Sequence, residues 1–150
     1  MIWNNCFKKG IRYMMISTKG RYALRFMIDI ALNSRNEPVS IKDIGQRQDI
    51  SVKYLEQIVN MLNRAGLLKS HRGAHGGYTL AKAPEEYTIG DILRVTEGTI
   101  APVACLEEEV NTCERADICP TLSFWDGLYK TVNEYIDSVR LSDIMENCSK

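Results

Sequence analysis

Apolar residues recur at helical spacing over much of this chain, and the clearest case lies in the first half. Leu55, Ile58, Val59 and Leu62 follow the i, i+3, i+4, i+7 spacing that places side chains on one face of a helix. Gly66 then stands where a helix C-cap glycine belongs, because glycine adopts the left-handed backbone at little cost. The pattern predicts an amphipathic helix with a buried stripe and a polar outer face.

A short hairpin is predicted directly after this helix. Two apolar segments, Leu67-Leu68 and Tyr78 to Leu80, flank a basic, glycine-rich segment at residues 69–77. A helix followed by such a hairpin is typical of a winged helix, in which the helix reads the DNA major groove and the wing contacts the backbone or minor groove. A surface helix followed by an irregular loop is the alternative interpretation.

Further helices are predicted on both sides of this unit. One runs from about Lys19 to Ser34, and a short one follows from Ile41 to Gln48, with Ser40 as its N-cap. The turn at residues 49–51 joins the short helix to the recognition helix, which is the arrangement of a helix-turn-helix. After the wing, a helix capped by Thr88 is predicted to end near residue 97.

A long helix from about Thr121 to Val139 carries an apolar stripe. Its members are Trp125, Leu128, Tyr129, Val132, Ile136 and Val139. Such a face is too apolar to stand alone in water, and pairing with a second copy would bury it, so we predict a homodimer. Burial against its own domain is the alternative. A last helix is predicted from Leu141 to Met145.

These elements predict a mostly α-helical fold with a small β-hairpin wing: a winged helix-turn-helix DNA-binding domain and a long dimerisation helix. We expect an N-terminal extension at residues 1–14, with translation starting at Met14 or Met15. The DNA-binding domain is assigned to residues 15–98, a cysteine-bearing loop to 99–120, and the dimerisation and C-terminal helices to 121–150.

Charge is divided between the two halves of the 150-residue chain, although its net charge is zero. Residues 15–84 hold 11 Lys and Arg against 5 Asp and Glu, whereas residues 85–150 hold 5 against 14. A basic half joined to an acidic half favours a DNA-binding module with a separate regulatory or pairing module. The sequence shows neither a membrane span nor a signal peptide, so we expect a cytoplasmic protein.

The candidate DNA contacts divide into base readers and phosphate contacts. Lys53, Tyr54, Glu56 and Gln57 lie in the first turns of the recognition helix, where Gln57 suits adenine and Glu56 suits cytosine. Arg72, on the wing, suits a narrow minor groove. The candidate phosphate contacts are Lys19, Arg21, Lys42 and His71, for which solvent-exposed surface is the alternative; His75 lies at the same wing tip as His71.

Cys105, Cys113 and Cys119 lie close together and are the candidate metal ligands. Three thiolates on one loop can converge on iron or zinc, and acidic neighbours could supply an oxygen ligand. These neighbours are Glu107, Glu108, Glu109, Glu114 and Asp117. A thiol redox switch and three unligated thiols are the alternatives. Catalysis is disfavoured, because both histidines lie on the wing and no base is evident beside a cysteine.

Several of these motifs together resemble the Rrf2 family of bacterial transcription regulators. They are the segment from Ser17 to Leu24, the sequence YLEQ from Tyr54, Arg72-Gly73 with Gly76-Gly77-Tyr78, and Glu97-Gly98 with Ala101-Pro102. The resemblance covers residues 15–146. It implies a dimeric winged-helix regulator, with Lys53, Glu56 and Gln57 as base readers, Arg72 in the minor groove and an iron–sulfur cluster on the three cysteines.

Two departures bear on the cluster. The first cysteine interval is two residues longer than in the family's iron–sulfur prototype, and Leu122 stands where that prototype has a histidine ligand. Cluster type, 2Fe–2S or 4Fe–4S, and the fourth ligand therefore stay open. The wing and residues 97–103 look most like the family's cluster-free cysteine-metabolism repressors, which work with a cysteine-synthesis enzyme. The partner could instead be a cluster-assembly enzyme. Other interpretations of the protein are a nitric-oxide or redox sensor of the same family and, more distantly, a zinc protein or an enzyme.

Overall fold

The computed structural model describes residues 16–34, 37–73 and 75–148. The predicted N-terminal extension at residues 1–14 and the predicted start at Met14 or Met15 lie outside these ranges. The first three helices are α1 (Thr18–Asn33), α2 (Ile41–Gln48) and α3 (Val52–Arg64). No helix in the described part of the chain is long and apolar enough to cross a membrane.

The predicted caps of the helix-turn-helix are present. Ser40 Oγ accepts a hydrogen bond from Asp43 N at 3.2 Å, and Ser51 Oγ accepts one from Tyr54 N at 3.3 Å. Between them Asp49 takes a left-handed backbone with φ of 53°, a conformation that Asp tolerates better than most residues. Gly66 ends α3 with φ of 72°, as its position after the apolar stripe predicts.

The hairpin consists of β1 (Leu68–His71) and β2 (Gly77–Leu80), antiparallel, with Leu68 opposite Leu80. A third segment, not predicted, joins it: Val39 and Tyr78 exchange both backbone hydrogen bonds, at 3.0 and 2.9 Å. Gly77 permits this approach, since a Cβ there would lie 2.4 Å from the Val39 carbonyl oxygen. The wing is therefore anchored to the segment that leads into α2.

Three helices complete the described chain: α4 (Ile89–Glu97), α5 (Leu122–Ser138) and α6 (Leu141–Cys148). The main core packs α1 between α3, α4 and the hairpin, with Phe26, Ile30 and Leu55 fully buried. The last helix extends to Cys148, three residues beyond the predicted end at Met145, and its Leu141 is fully buried in that core.

The predicted apolar stripe of α5 packs in part against its own chain. Tyr129, Val132 and Val139 pack against a second apolar cluster formed by Ile89, Leu93, Ile100 and Ile136. The first turns of the helix carry the exposed Phe124 against Trp125, with ring centroids 4.9 Å apart. Large apolar side chains are therefore exposed at both ends of α5, Phe124 near the cysteines and Tyr135 near the end of the helix.

Candidate DNA interface and cysteine loop

The outer face of α3 presents polar side chains to solvent. Lys53, Glu56 and Gln57 are exposed, whereas the stripe on the opposite face is buried, with Leu55, Ile58 and Leu62 fully inaccessible. Because the caps and the core fix the helix on one side only, these three side chains are free to meet base edges. They are the part of the predicted base-reading set that the structure brings onto one surface.

Tyr54, the fourth predicted base reader, lies differently. Its side chain is half-buried and its ring meets the Tyr22 ring of α1 edge to face, with centroids 5.8 Å apart at 89°. Such a contact is favourable for aromatic rings. Tyr54 therefore also ties the recognition helix to α1, a role that its place in the first turn did not reveal.

The wing places the predicted Arg72 between the strands, exposed at the tip, followed by Gly73 with φ of 111°. His71 lies one position earlier than expected for a tip residue, since it is the last residue of β1. Its Nε2 lies 2.9 Å from Thr79 Oγ1 across the hairpin. Arg72 and His75 belong to the tip, whereas His71 belongs to the strand that supports it.

Three of the four predicted phosphate contacts lie at the starts of two helices, and the fourth is His71 of β1. Lys19 and Arg21 are in the first turn of α1, and Lys42 is exposed at the start of α2. The peptide dipoles at a helix N-terminus also favour anions. At α1, however, the N-terminal amides already have an anionic partner.

That partner is Glu97, the last residue of α4. Its Oε1 accepts hydrogen bonds from Ser17 N at 3.2 Å, Ser17 Oγ at 2.7 Å and Gly20 N at 3.0 Å. A carboxylate at this end of a helix satisfies free amides and complements the helix dipole. Sequence reasoning missed this role, because no local pattern connects residues about eighty positions apart.

A second polar link joins α4 to α5. Arg94 donates to both carboxylate oxygens of Asp137 at 2.8 Å and to Asn133 Oδ1 at 2.7 Å. The hydrogen bonds from Arg94 hold the pKa of Asp137 below its ordinary value. The DNA-binding domain and α5 are thereby joined by a forked ion pair as well as by the second apolar cluster.

The three candidate ligands lie along the loop between α4 and α5. Cys105 is half-buried in a short 3-10 turn, Cys113 is exposed, and Cys119 is half-buried three residues before α5. The described residues gather no three His, Cys, Asp or Glu side chains at metal-binding spacing. The loop thus carries suitable donors without a preformed cage.

Cys119 borders an open cleft of about 510 Å³ at the start of α5. The other residues that line it are Leu106, Asn111, Ala116, Leu122, Ser123 and Asp126. None of the acidic residues predicted to provide an oxygen ligand lines this cleft, whereas Asp126, which was not predicted, does. Asp126 lies seven residues after Cys119, and both line one cleft because α5 begins between them and turns Asp126 back toward the loop.

The chemistry of the donor set fits an iron–sulfur cluster. Hydrogen bonds from Thr121, with Sγ and Oγ1 3.5 Å apart, lower the pKa of the Cys119 thiol, and Arg115 acts in the same direction. A thiolate is the form of cysteine that binds iron. The three thiols do not form a metal-binding group as they lie in the described residues, so the loop would have to rearrange for them to share a cluster.

Comparison with known proteins decides the family. The chain matches the Rrf2 family, described as "Iron-dependent Transcriptional regulator", over residues 16–147. The chain belongs to the Rrf2 family. It is 42% identical over 136 residues to Protein rrf2 of Nitratidesulfovibrio vulgaris, an alignment that covers 91% of this chain and 90% of that protein.

The chain is similar to two named regulators of this family, CymR and IscR. The chain is 45% identical over 131 residues to CymR of Bacillus subtilis, covering 87% of this chain and 89% of CymR. The solved structure of that protein, the global cysteine regulator, matches with a TM-score of 0.73 over 89% of this chain and 97% of CymR. The structure of T. potens IscR matches with a TM-score of 0.71 and 37% identity, over 93% of this chain and 89% of IscR.

These matches confirm the predicted winged-helix fold and the predicted class of protein. Members of the family are DNA-binding transcription regulators, typically dimers, and not enzymes. The individual DNA contacts and the cysteine ligands stay predictions, and so do the domain boundaries.

Proposed function

We propose that this Rrf2 regulator is a cytoplasmic homodimeric repressor of genes for iron–sulfur cluster assembly or for cysteine and sulfur metabolism. Its sensor is an iron–sulfur cluster on Cys105, Cys113 and Cys119. The observation that carries the proposal is the position of these thiols on the loop that joins the DNA-binding domain to α5. Thiolate ligands are what both common cluster types require.

DNA binding in this proposal uses the exposed face of α3 in the major groove and Arg72 of the wing in the minor groove. Lys19, Arg21, Lys42 and His71 contact phosphates. Two copies paired through the exposed start of α5, at Phe124 and Trp125, present two recognition helices to a pseudo-palindromic operator. Half-sites about one helical turn apart, roughly 34–36 Å, suit such a dimer.

Signal transmission would follow the contacts already described. If Cys105, Cys113 and Cys119 hold a cluster, the loop that ends at Cys119, just before α5, would follow a different course in the loaded and the empty protein. Because Arg94 and Asp137 join α5 to α4, and Glu97 joins α4 to α1, a shift of the loop reaches the DNA-binding domain through defined contacts. The bound cluster supplies the redox and iron chemistry, and the chain supplies thiolate ligands and this linkage.

A second candidate is a cluster-free repressor of cysteine metabolism. The 45% identity to CymR favours it, as does the separation of the three thiols in the described structure. In this alternative the cysteines act as redox-active thiols or zinc ligands. The predicted cysteine-synthesis enzyme as partner belongs with this alternative, whereas a cluster-assembly enzyme as partner belongs with the cluster sensor, and both remain predictions.

The deciding experiment is anaerobic purification from iron-replete cells, followed by a visible absorption spectrum and assays of iron and acid-labile sulfide. A cluster sensor shows sulfur-to-iron charge-transfer absorbance, whose shape separates 2Fe–2S from 4Fe–4S. Cys148→Ala is the matched control, since Cys148 is exposed at the end of α6. A colourless wild-type protein without sulfide would refute cluster sensing, and bound zinc would then identify a zinc protein.

A further inference from the structure

Asp29 of α1 carries a carboxylate that the fold has removed from solvent, with 3% of the residue exposed. Arg47 donates to it from Nη2 at 2.6 Å, and Gln48 donates from Nε2 at 2.8 Å. A buried charge requires such partners, so the end of α2 is held against α1. The same bond orients the Gln48 amide, because its NH₂ group faces Asp29 and its Oε1 faces away.

Arg25, one turn before Asp29 on α1, bonds the outward side of this glutamine. Its Nε donates to Gln48 Oε1 at 3.0 Å, and its Nη2 donates to the main-chain carbonyl of Gln48. That carbonyl belongs to the last residue of α2, where helical carbonyls lack partners within the helix and cations are favoured. The next residue, Asp49, begins the turn into the recognition helix.

The guanidinium of Arg25 also lies over an aromatic ring, with its Cζ 5.4 Å from the centroid of Tyr22. Tyr22 in turn meets Tyr54 edge to face at 5.8 Å. Tyr54 lies in the first turn of α3, the part of a recognition helix that reaches the bases. Arg25 is therefore connected to both helices of the helix-turn-helix, by hydrogen bonds to α2 and by ring contacts to α3.

We propose that Arg25 is a positioning residue for sequence-specific DNA recognition: it fixes the orientation of α3 through Gln48 on one side and the Tyr22–Tyr54 pair on the other. The inference rests on DNA binding alone and not on the cluster. The competing role for an exposed arginine on this surface is an ordinary phosphate contact. Two of its donors already bond Gln48, which favours positioning.

The two roles differ in what they do to specificity and to salt dependence. A misoriented recognition helix loses base contacts, which carry sequence information, while phosphate contacts persist. A lost phosphate contact weakens binding to every sequence. It also makes the negative slope of log K against log salt less steep, by about 0.9. Arg25→Lys is the sharper variant, because lysine keeps the charge but cannot reproduce the forked geometry of the guanidinium.

The test uses the duplex that wild-type protein selects from a random DNA library, and a scrambled duplex of the same composition. Wild type, Arg25→Lys, Arg25→Ala and the control Arg140→Ala, which removes an exposed cation between α5 and α6, are titrated at several salt concentrations. Arg25→Lys and Arg25→Ala should bind the selected duplex about tenfold more weakly and the scrambled duplex within about twofold of wild type, with unchanged salt slopes. Arg140→Ala should match wild type on both.

Equal weakening of binding to both duplexes would overturn the proposal. If the salt dependence also becomes less steep, Arg25 is a phosphate contact; if the salt dependence is unchanged, the variants have lost folded protein. Unchanged binding by both Arg25 variants would overturn it as well. Gln48→Ala gives an independent check, since its loss of preference for the selected duplex should not add to that of Arg25→Ala. Full additivity would show that the two side chains act separately.

Discussion

Gly20 and Glu97 form a contact whose energetics can be tested by a double-mutant cycle. Gly20 lies in the first turn of α1, where its amide donates to the Glu97 carboxylate at 3.0 Å. A Cβ at this position would lie 2.4 Å from Glu97 Oε1, closer than non-bonded atoms approach. Gly20→Ala should therefore displace the carboxylate, although alanine is the better helix former.

The expected magnitudes follow from these bonds. A hydrogen bond to a buried charged group contributes about 1.5–3 kcal/mol. Because this carboxylate is partly exposed and water can replace it at the freed donors, we expect Glu97→Ala to cost about 2–3 kcal/mol for its three hydrogen bonds together, less than the sum of three buried bonds. Gly20→Ala in an ordinary helix would stabilise by about 1 kcal/mol, but here we expect a net loss of about 1–2 kcal/mol. In the Glu97→Ala background the contact with Ile16 Cγ2 at 2.9 Å remains, so the same change should be close to neutral, and the coupling is about 1–2 kcal/mol.

Urea unfolding of the metal-free protein at pH 7 and one fixed protein concentration measures all four corners of the cycle. For a chain of this size, each kcal/mol also lowers Tm by about 2–4 °C. Glu146→Ala is the matched control, since it removes an equal charge from an exposed position on α6. Additive effects, or a stabilising Gly20→Ala in the wild-type background, would refute the capping role of Glu97.

Four further predictions concern the interface, the cysteine loop and the scaffold. Arg72→Ala should weaken operator binding by about 1–3 kcal/mol at fixed salt, and an unchanged titration curve would remove Arg72 from the wing contact. Cys113→Ala should purify without cluster absorbance while Cys148→Ala keeps it; retained colour would exclude Cys113 as a required ligand. Tyr87→Phe should reduce the free energy of unfolding by about 1–3 kcal/mol. The buried hydroxyl that it removes donates to the Leu67 carbonyl at 3.0 Å and accepts from Lys82 N at 2.8 Å. A loss below about 0.5 kcal/mol would contradict this prediction. Asp137→Asn should lower the free energy of unfolding by about 0.5–1 kcal/mol at neutral pH, because it removes the ion pair with Arg94. Since the pKa of Asp137 is lowered in the folded protein, the ion pair stabilises only above that pKa, and the cost should vanish as acid protonates Asp137. A cost that urea unfolding shows to be independent of pH would exclude the ion pair as its cause.

Much of the scaffold was predictable because its signals are local. The apolar spacing of α3, its N-cap Ser51 and its terminal Gly66 lie within sixteen residues, and each acts on the backbone beside it. The hairpin strands also lie close in sequence, although their bounds and the place of His71 shifted by a residue or more. For the same reason the sequence identified the exposed face of α3 and the three cysteines as candidate chemistry.

The site itself depends on contacts that local patterns do not encode. The sequence by itself determined which residues form each helix, which face of α3 is polar and where thiols occur, because these follow from periodicity and residue chemistry. Only the tertiary structure decided that Glu97 caps α1, that Arg25 holds Gln48, and that four of the six residues of the α5 stripe pack against their own chain. Each of these joins side chains far apart in sequence, so the path of the whole backbone has to bring them within hydrogen-bonding or packing distance.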